Sequence, residues 1–141
     1  MILVTTAGEL VDHLDVEVQC PTPIVVNCQL LGVFLTVSGD RQAMHEPAKR
    51  AVLPANLLLT LLPVALQSGV RVVTFSRCFT VGYDRVRFRQ PVQPEMRLHV
   101  FAKVVSVRQR QGQTFVRLAL TLKCEAGESV LTLEQTDCYQ D

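Results

Sequence analysis

Residues 54–69 read PANLLLTLLPVALQSG, and this apolar stretch decides the fold. The pattern predicts a helix from about Pro54 to Gln67 that ends at Ser68-Gly69, because proline is tolerated at a helix start and glycine favours a helix end. Apolar residues occupy nearly every side of this helix, which is typical of a helix buried by a sheet.

The chain changes character from Val70 onward. Alternating or β-branched runs predict strands at 70–75, 85–88, 97–108, 114–123 and 129–135. Turn signals separate these runs at Gly82, Pro91 to Pro94, Gln111-Gly112 and Ala126-Gly127. A buried helix followed by long antiparallel strands implies a sheet wrapped around that helix. We therefore predict an α+β class and a single hot-dog domain over residues 1–141.

The segment before residue 54 predicts a strand and then a shorter helix. Leu14 to Val18 alternate as a strand, and two prolines, Pro21 and Pro23, stop it. Asn27 is a good N-cap for a helix that reaches Val37 and ends at Gly39. The apolar positions with helical spacing are Leu30, Leu31, Phe34, Leu35 and Val37.

Asp40 and His45 form a candidate acid/base pair directly after this helix. They stand five residues apart in Ser38-Gly39-Asp40-Arg41-Gln42-Ala43-Met44-His45. A carboxylate and an imidazole can hold one water between them, one taking its proton and the other orienting it. On the residues alone, most pairs at this spacing are surface residues or local caps, so a motif of this kind is a hypothesis until its structural setting is known.

Composition excludes several classes of function. The 141 residues are 48% hydrophobic and 19% charged, which indicates one compact globule and argues against disorder. The net charge of +1 and the scattered arginines do not suggest a nucleic-acid platform. No signal sequence or apolar run of membrane-spanning length is evident, so we predict a cytoplasmic protein with no membrane partner.

The cysteines and the remaining histidines and arginines have mainly structural interpretations. The five cysteines form no CxxC pair and have no histidine at metal-ligand spacing, so we expect reduced, structural thiols and no metal. His13 is expected at the surface, and His99 on a strand face without an evident acid partner. Arg85, Arg87 and Arg89 fall on one strand face by period two, either as a solvated face or as a contact for coenzyme A phosphates.

Three segments together resemble the MaoC-like (R)-specific enoyl-CoA hydratases. Residues 26–45 are similar to the helix and hydratase motif of that family. Residues 57–63 resemble the central hot-dog helix of the nodulation-protein-N-like branch, and residues 83–92 resemble that branch's next strand with its Arg-Phe-x-x-Pro-Val turn. The resemblance covers nearly the whole chain.

This resemblance implies reversible addition of water to a trans-2-enoyl thioester to give an (R)-3-hydroxyacyl thioester. It implies that Asp40 and His45 are catalytic and that a backbone N–H at the start of the central helix forms the oxyanion hole. Where the family has His-Gly there, this chain has Pro54-Ala55, so the donor would be Ala55. The supporting residues would be Gly39, Gln42 and Thr60. Thr60 would face Asp40 or bond its own helix.

The acyl group of the implied substrate is attached to coenzyme A or to the phosphopantetheine arm of an acyl-carrier protein. Because this group is part of the substrate, we expect no separate cofactor. The connection between His45 and the central helix is several residues shorter than in typical members, and Gln42-Ala43 replace the usual Asn-Pro. Two other functions stay open, a hot-dog acyl thioesterase and a non-catalytic acyl-binding subunit. The sheet should also pair with another, in a homodimer or with a related hot-dog subunit.

Overall fold

The computed structural model describes residues 1–42 and 51–141 of the chain. Its helices are a 3-10 helix at Ala7–His13, α1 at Cys28–Ser38 and α2 at Ala55–Gly69. The short strands are β1 (Ile2–Val4), β2 (Glu17–Gln19), β3 (Ile24–Val25) and β4 (Val70–Val72). The long strands are β5 (Arg77–Phe88), β6 (Arg97–Arg110), β7 (Gln113–Cys124) and β8 (Ser129–Gln140).

The long strands form one antiparallel sheet around α2. Its order is β2-β6-β7-β8-β5, and β3 also pairs with β6. Tight connections at Gln111-Gly112 and near Gly127 join β6 to β7 and β7 to β8, as their turn signals predict, and both glycines have positive φ angles. The α+β hot-dog fold predicted from the sequence is therefore confirmed.

The core lies between α2 and the concave face of the sheet. Strands β6 and β7 bury every second residue over most of their lengths, which places one apolar row of each strand against the helix. The fully buried leucines on these elements are Leu57, Leu62, Leu98, Leu120 and Leu122. Each such side chain contributes about 1.5–3 kcal/mol by leaving water, so this interface is the main source of stability.

The sheet buries most of the apolar residues of α2, as predicted, but one apolar side of the helix stays open. Pro63 and Val64 lie on a face of the helix that is open in the single chain, and Val64 is 62% exposed. A single sheet covers only one side of a helix, so an apolar residue on the opposite side keeps its contact with water.

The predicted turn at Gly82 is wrong, because this residue lies inside β5. The strand continues through it with register shifts against β8 on either side of Gly82 to Asp84. Such bulges use glycine or a left-handed residue, and Arg85 has a φ of 52°. The β5 strand consequently begins at Arg77, eight residues before the predicted run.

The N-terminal residues add elements that the pattern did not indicate. Strand β1 pairs in parallel with β4, Ile2 opposite Val70 and Val4 opposite Val72, so β4 does not belong to the long sheet. The 3-10 helix follows directly and buries Leu10. Among the described residues, no helix is long and apolar enough to cross a membrane.

Candidate functional site

Helix α1 positions Asp40, and a hydrogen-bonded cap fixes each end of this helix. The Asn27 side chain accepts a hydrogen bond from the Leu30 backbone N–H at 2.7 Å, as predicted for an N-cap. Gly39 ends the helix in a left-handed conformation, with φ 72° and ψ 10°, and its N–H donates to the Leu35 carbonyl. The chain therefore turns sharply just before Asp40.

Asp40 is half-buried and held by its own loop. Its Oδ1 accepts the Gln42 backbone N–H at 3.0 Å, and its own N–H donates to the Ser38 hydroxyl at 3.2 Å. This is the short side-chain-to-backbone turn that aspartate favours after a helix. His45 lies outside the described residues, so the pairing of Asp40 with His45 stays a prediction.

Ala55 occupies the first position of α2, directly after Pro54. The Leu57 N–H bonds the Pro54 carbonyl at 3.1 Å, whereas no described residue accepts a hydrogen bond from the Ala55 N–H. Helix starts leave such donors unsatisfied and carry partial positive charge, so this N–H can stabilise an oxyanion. Ala55 is half-buried, which leaves room for approach.

Thr60 bonds its own helix. Its hydroxyl donates to the Asn56 carbonyl at 2.9 Å, and the residue is exposed. Of the two orientations that the sequence left open, the structure has this local one. A supporting role for Thr60 at Asp40 stays a prediction, because no hydrogen bond between the two described residues supports it.

A second site, which sequence reasoning missed, lies beside the C-terminal half of α2. It is a cleft of about 740 Å³ between α2, β4 and the adjoining ends of β5 and β8. Three polar side chains meet on its wall: Thr80, Gln135 and Asp137. The sequence signal was present, since Gln135 and Asp137 interrupt the inward-facing apolar row of β8.

Cys78 and Tyr139 face each other across β5 and β8 on the same cleft. Partial burial is the main cause that raises the pKa of the Cys78 thiol to about 11, and the nearby Asp137 charge is a smaller cause in the same direction. Burial also raises the pKa of Tyr139 above its ordinary value. Both groups therefore stay protonated at neutral pH, and Cys78 is not an activated thiol. All five cysteines are free.

The remaining candidates have surface partners. His99 does have an acid partner, contrary to the expectation, because its Nε2 lies 2.8 Å from Glu125 Oε1. Arg85 approaches Glu134 at 3.7 Å, and the Arg89 side chain donates to the Thr132 hydroxyl. No group of three or more potential metal ligands occurs within residues 1–42 and 51–141.

The chain was compared with known proteins by sequence and by structure. No family model matches the sequence, and no curated protein matches it either. Any relationship is therefore visible in the fold and not in overall sequence identity.

Solved structures share the fold along most of the chain. An (R)-hydratase from A. caviae involved in PHA biosynthesis has a TM-score of 0.68 and 16% identity, covering 86% of this chain and 92% of that one. A monoamine oxidase regulatory protein from Archaeoglobus fulgidus has a TM-score of 0.77 and 21% identity over 98% and 96% of the two chains. The HadBC (3R)-hydroxyacyl-ACP dehydratase complex of Mycobacterium tuberculosis has a TM-score of 0.73 and 18% identity, covering 90% of this chain and 97% of that one.

These likenesses confirm the predicted resemblance at the level of architecture. The chain has the hot-dog fold of the MaoC-like dehydratases and (R)-hydratases. The structural similarities do not distinguish the nodulation-protein-N-like branch from other branches of that family. A shared fold supports many chemistries, so function must be argued from the site.

Proposed function

We propose that this protein is a hydratase or dehydratase that interconverts trans-2-enoyl and (R)-3-hydroxyacyl thioesters of coenzyme A or an acyl-carrier protein. The observation that carries the proposal is the position of Asp40. It follows the left-handed cap of α1 and is half-buried, in a fold shared with an (R)-hydratase and a (3R)-hydroxyacyl-ACP dehydratase.

In the proposed reaction, Asp40 and His45 hold the attacking water. The water oxygen bonds to C3 as the C2–C3 π electrons move toward the thioester carbonyl, and one water proton passes to the dyad. The dyad then delivers a proton to C2, which completes the addition. Developing negative charge on the thioester oxygen is stabilised by the Ala55 N–H at the start of α2.

Crotonyl-CoA tests this proposal, because hydration removes the enoyl absorbance without releasing a thiol. The wild-type chain should hydrate it, and Asp40→Asn and His45→Ala should each lower kcat/KM by about 10²–10⁴-fold, the usual contribution of a positioned acid/base group. A carrier-protein crotonyl thioester, assayed in parallel, shows whether the protein prefers a coenzyme A or an acyl-carrier-protein thioester.

Asp12→Asn and His13→Ala are matched controls, since this second acid and imidazole pair lies on the 3-10 helix. Both should retain wild-type rates. Hydration that survives both Asp40→Asn and His45→Ala would overturn the dyad. Release of free thiol without hydration would instead identify a thioesterase. If neither crotonyl-CoA nor the carrier-protein thioester reacts, a non-catalytic acyl-binding subunit would be favoured.

We further propose that the protein assembles through β5, as a homodimer. Every residue of this 12-residue strand is exposed or half-buried, and within the described residues it pairs with β8 alone. Phe79, Val81 and Tyr83 are each between 44% and 48% exposed. A long apolar edge strand is normally covered, and two copies related by a two-fold axis would cover both edges at once.

A further inference from the structure

The Ser38 hydroxyl bridges the end of α1 and the loop that carries Asp40. It accepts the Asp40 backbone N–H at 3.2 Å, and it donates to the Leu35 carbonyl in the last turn of the helix at 3.5 Å. One side chain therefore connects the main chain of Asp40 to a carbonyl of the helix.

This bridge matters because it crosses Gly39. Glycine has more backbone freedom than any other residue, and Gly39 takes the left-handed conformation that ends α1. Its own N–H donates to the Leu35 carbonyl at 3.0 Å, a bond on the helix side that does not fix the peptide beyond it. The bond from the Asp40 N–H to the Ser38 hydroxyl lies on the far side. It therefore restrains the rotation at Gly39 that would swing Asp40 away from the helix.

A separate hydrogen bond orients the carboxylate of Asp40. Its Oδ1 accepts the Gln42 backbone N–H at 3.0 Å, which favours one rotation of the side chain. Ser38 thus restrains the main chain of Asp40, and Gln42 restrains its carboxylate. Both restraints matter for a group that holds a reacting water, because a displacement of about 1 Å can cost about a hundredfold in rate.

We propose that Ser38 is a positioning residue for the hydration reaction and acts through the backbone of Asp40. This inference rests on the proposed function, in which Asp40 holds the attacking water. The role requires a hydrogen-bond acceptor at position 38 and neither charge nor nucleophilicity. A residue without a strong acceptor there should slow the reaction without weakening α1.

Ser38→Ala removes the acceptor and tests the proposal. With the crotonyl thioester that the wild type hydrates faster, kcat should fall about tenfold while KM stays within about twofold, because the lost restraint acts on the reacting group and not on substrate binding. The melting temperature should stay the same or rise, since alanine is a better helix former than serine. A lower melting temperature with an unchanged kcat would show a merely structural residue and would contradict the proposal.

Two further substitutions at the same position separate the acceptor from the size of the side chain. Ser38→Thr keeps the hydroxyl and should restore most of kcat. Ser38→Cys keeps the size of the side chain, but sulfur is a weak acceptor, so its kcat should match that of Ser38→Ala. A Ser38→Thr variant as slow as Ser38→Ala, or a Ser38→Cys variant as fast as the wild type, would overturn the proposal.

Thr36→Ala is the matched control, because its hydroxyl also lies on the last turns of α1 and is exposed. This hydroxyl donates to the Gly32 carbonyl at 2.9 Å, inside the helix, and within the described residues it makes no hydrogen bond to Asp40. Both kcat and KM should equal those of the wild type. An equal loss in Thr36→Ala and Ser38→Ala would show a general effect of α1 and would remove the assignment to Ser38.

Amide hydrogen exchange measures the restraint without relying on turnover. Followed by NMR, exchange of the Asp40 N–H should be about two- to tenfold faster in Ser38→Ala than in the wild type, because this donor loses its acceptor and opens more often. In Thr36→Ala it should keep the wild-type rate. Unchanged exchange at Asp40 in Ser38→Ala would contradict the proposed restraint.

Failure of this inference and failure of the proposed function give different results. If the wild-type chain hydrates neither crotonyl thioester, the proposed function is wrong, and the role of Ser38 is wrong with it. If the wild type is active and Asp40→Asn is not, but Ser38→Ala keeps the wild-type kcat, only the role of Ser38 is wrong.

Discussion

At the scale of single residues, the departure from the family pattern at Pro54-Ala55 concerns a backbone group and not a side chain. In the proposed reaction the oxyanion would accept a hydrogen bond from a backbone N–H at the start of α2, and alanine supplies an N–H as glycine does. Ala55 is half-buried and its N–H has no acceptor among the described residues, so this N–H is available for the role proposed for it.

Ala55→Pro removes this N–H while keeping the helix. Proline suits the first helical position, and Pro54, with ψ 134°, already has the conformation that a following proline requires. We expect crotonyl-CoA hydration to fall about a hundredfold or more, with little change in melting temperature. Ala55→Gly, which retains the N–H, should stay close to wild type, and similar activity in the two variants would remove Ala55 from the oxyanion hole.

At the scale of elements, the bounds of the two main helices were predictable because capping residues close in sequence determine where a helix begins and ends. Asn27 caps α1 and Gly39 terminates it, as the sequence indicates. Helix α2 begins one residue after Pro54 and reaches Gly69, within two residues of the predicted bounds. The turn predicted at Gly82 is wrong because a glycine indicates a turn and a bulge equally well, and only the pairing with β8 distinguishes them.

Two helical glycines make a matched pair for a test of packing. A Cβ on Gly69 would contact the Cys20 thiol and approach its Cα at 3.0 Å, whereas a Cβ on Gly32 would meet nothing within 4 Å. Gly69→Ala should therefore destabilise the fold by about 1–3 kcal/mol. Gly32→Ala, inside α1, should stabilise it by about 0.4–1 kcal/mol, because alanine loses less backbone entropy on folding.

Urea unfolding followed by circular dichroism gives both free energies of unfolding. The opposite signs are the essential result. If both substitutions stabilised the protein, the close approach of α2 to Cys20 would be wrong.

At the scale of the whole molecule, β5 is the part of the sheet that one chain does not cover. Its inward residues border the cleft, and its other residues include large apolar side chains in contact with water. Exposed apolar patches of this kind mark association surfaces in soluble proteins.

Val81→Lys places a charge in the middle of this edge and tests the proposed homodimer. Sedimentation equilibrium should give the mass of two chains for the wild type and of one chain for the variant, because an unpaired buried charge opposes association. Val11→Lys, a similarly exposed valine on the 3-10 helix, should remain dimeric. A monomeric wild-type protein would contradict the proposal.

The sequence by itself determined the two main helices with their caps, the run of antiparallel strands and the position of Asp40 beyond α1. These features depend on hydrogen bonds and periodicities within a few residues, which are visible along the chain. Only the tertiary structure decided the parallel pairing of β1 with β4, the exposure of β5 and the cleft. Thr80 and Asp137 are 57 residues apart, and their contact depends on strand order and register, which arise from packing the whole sheet around α2.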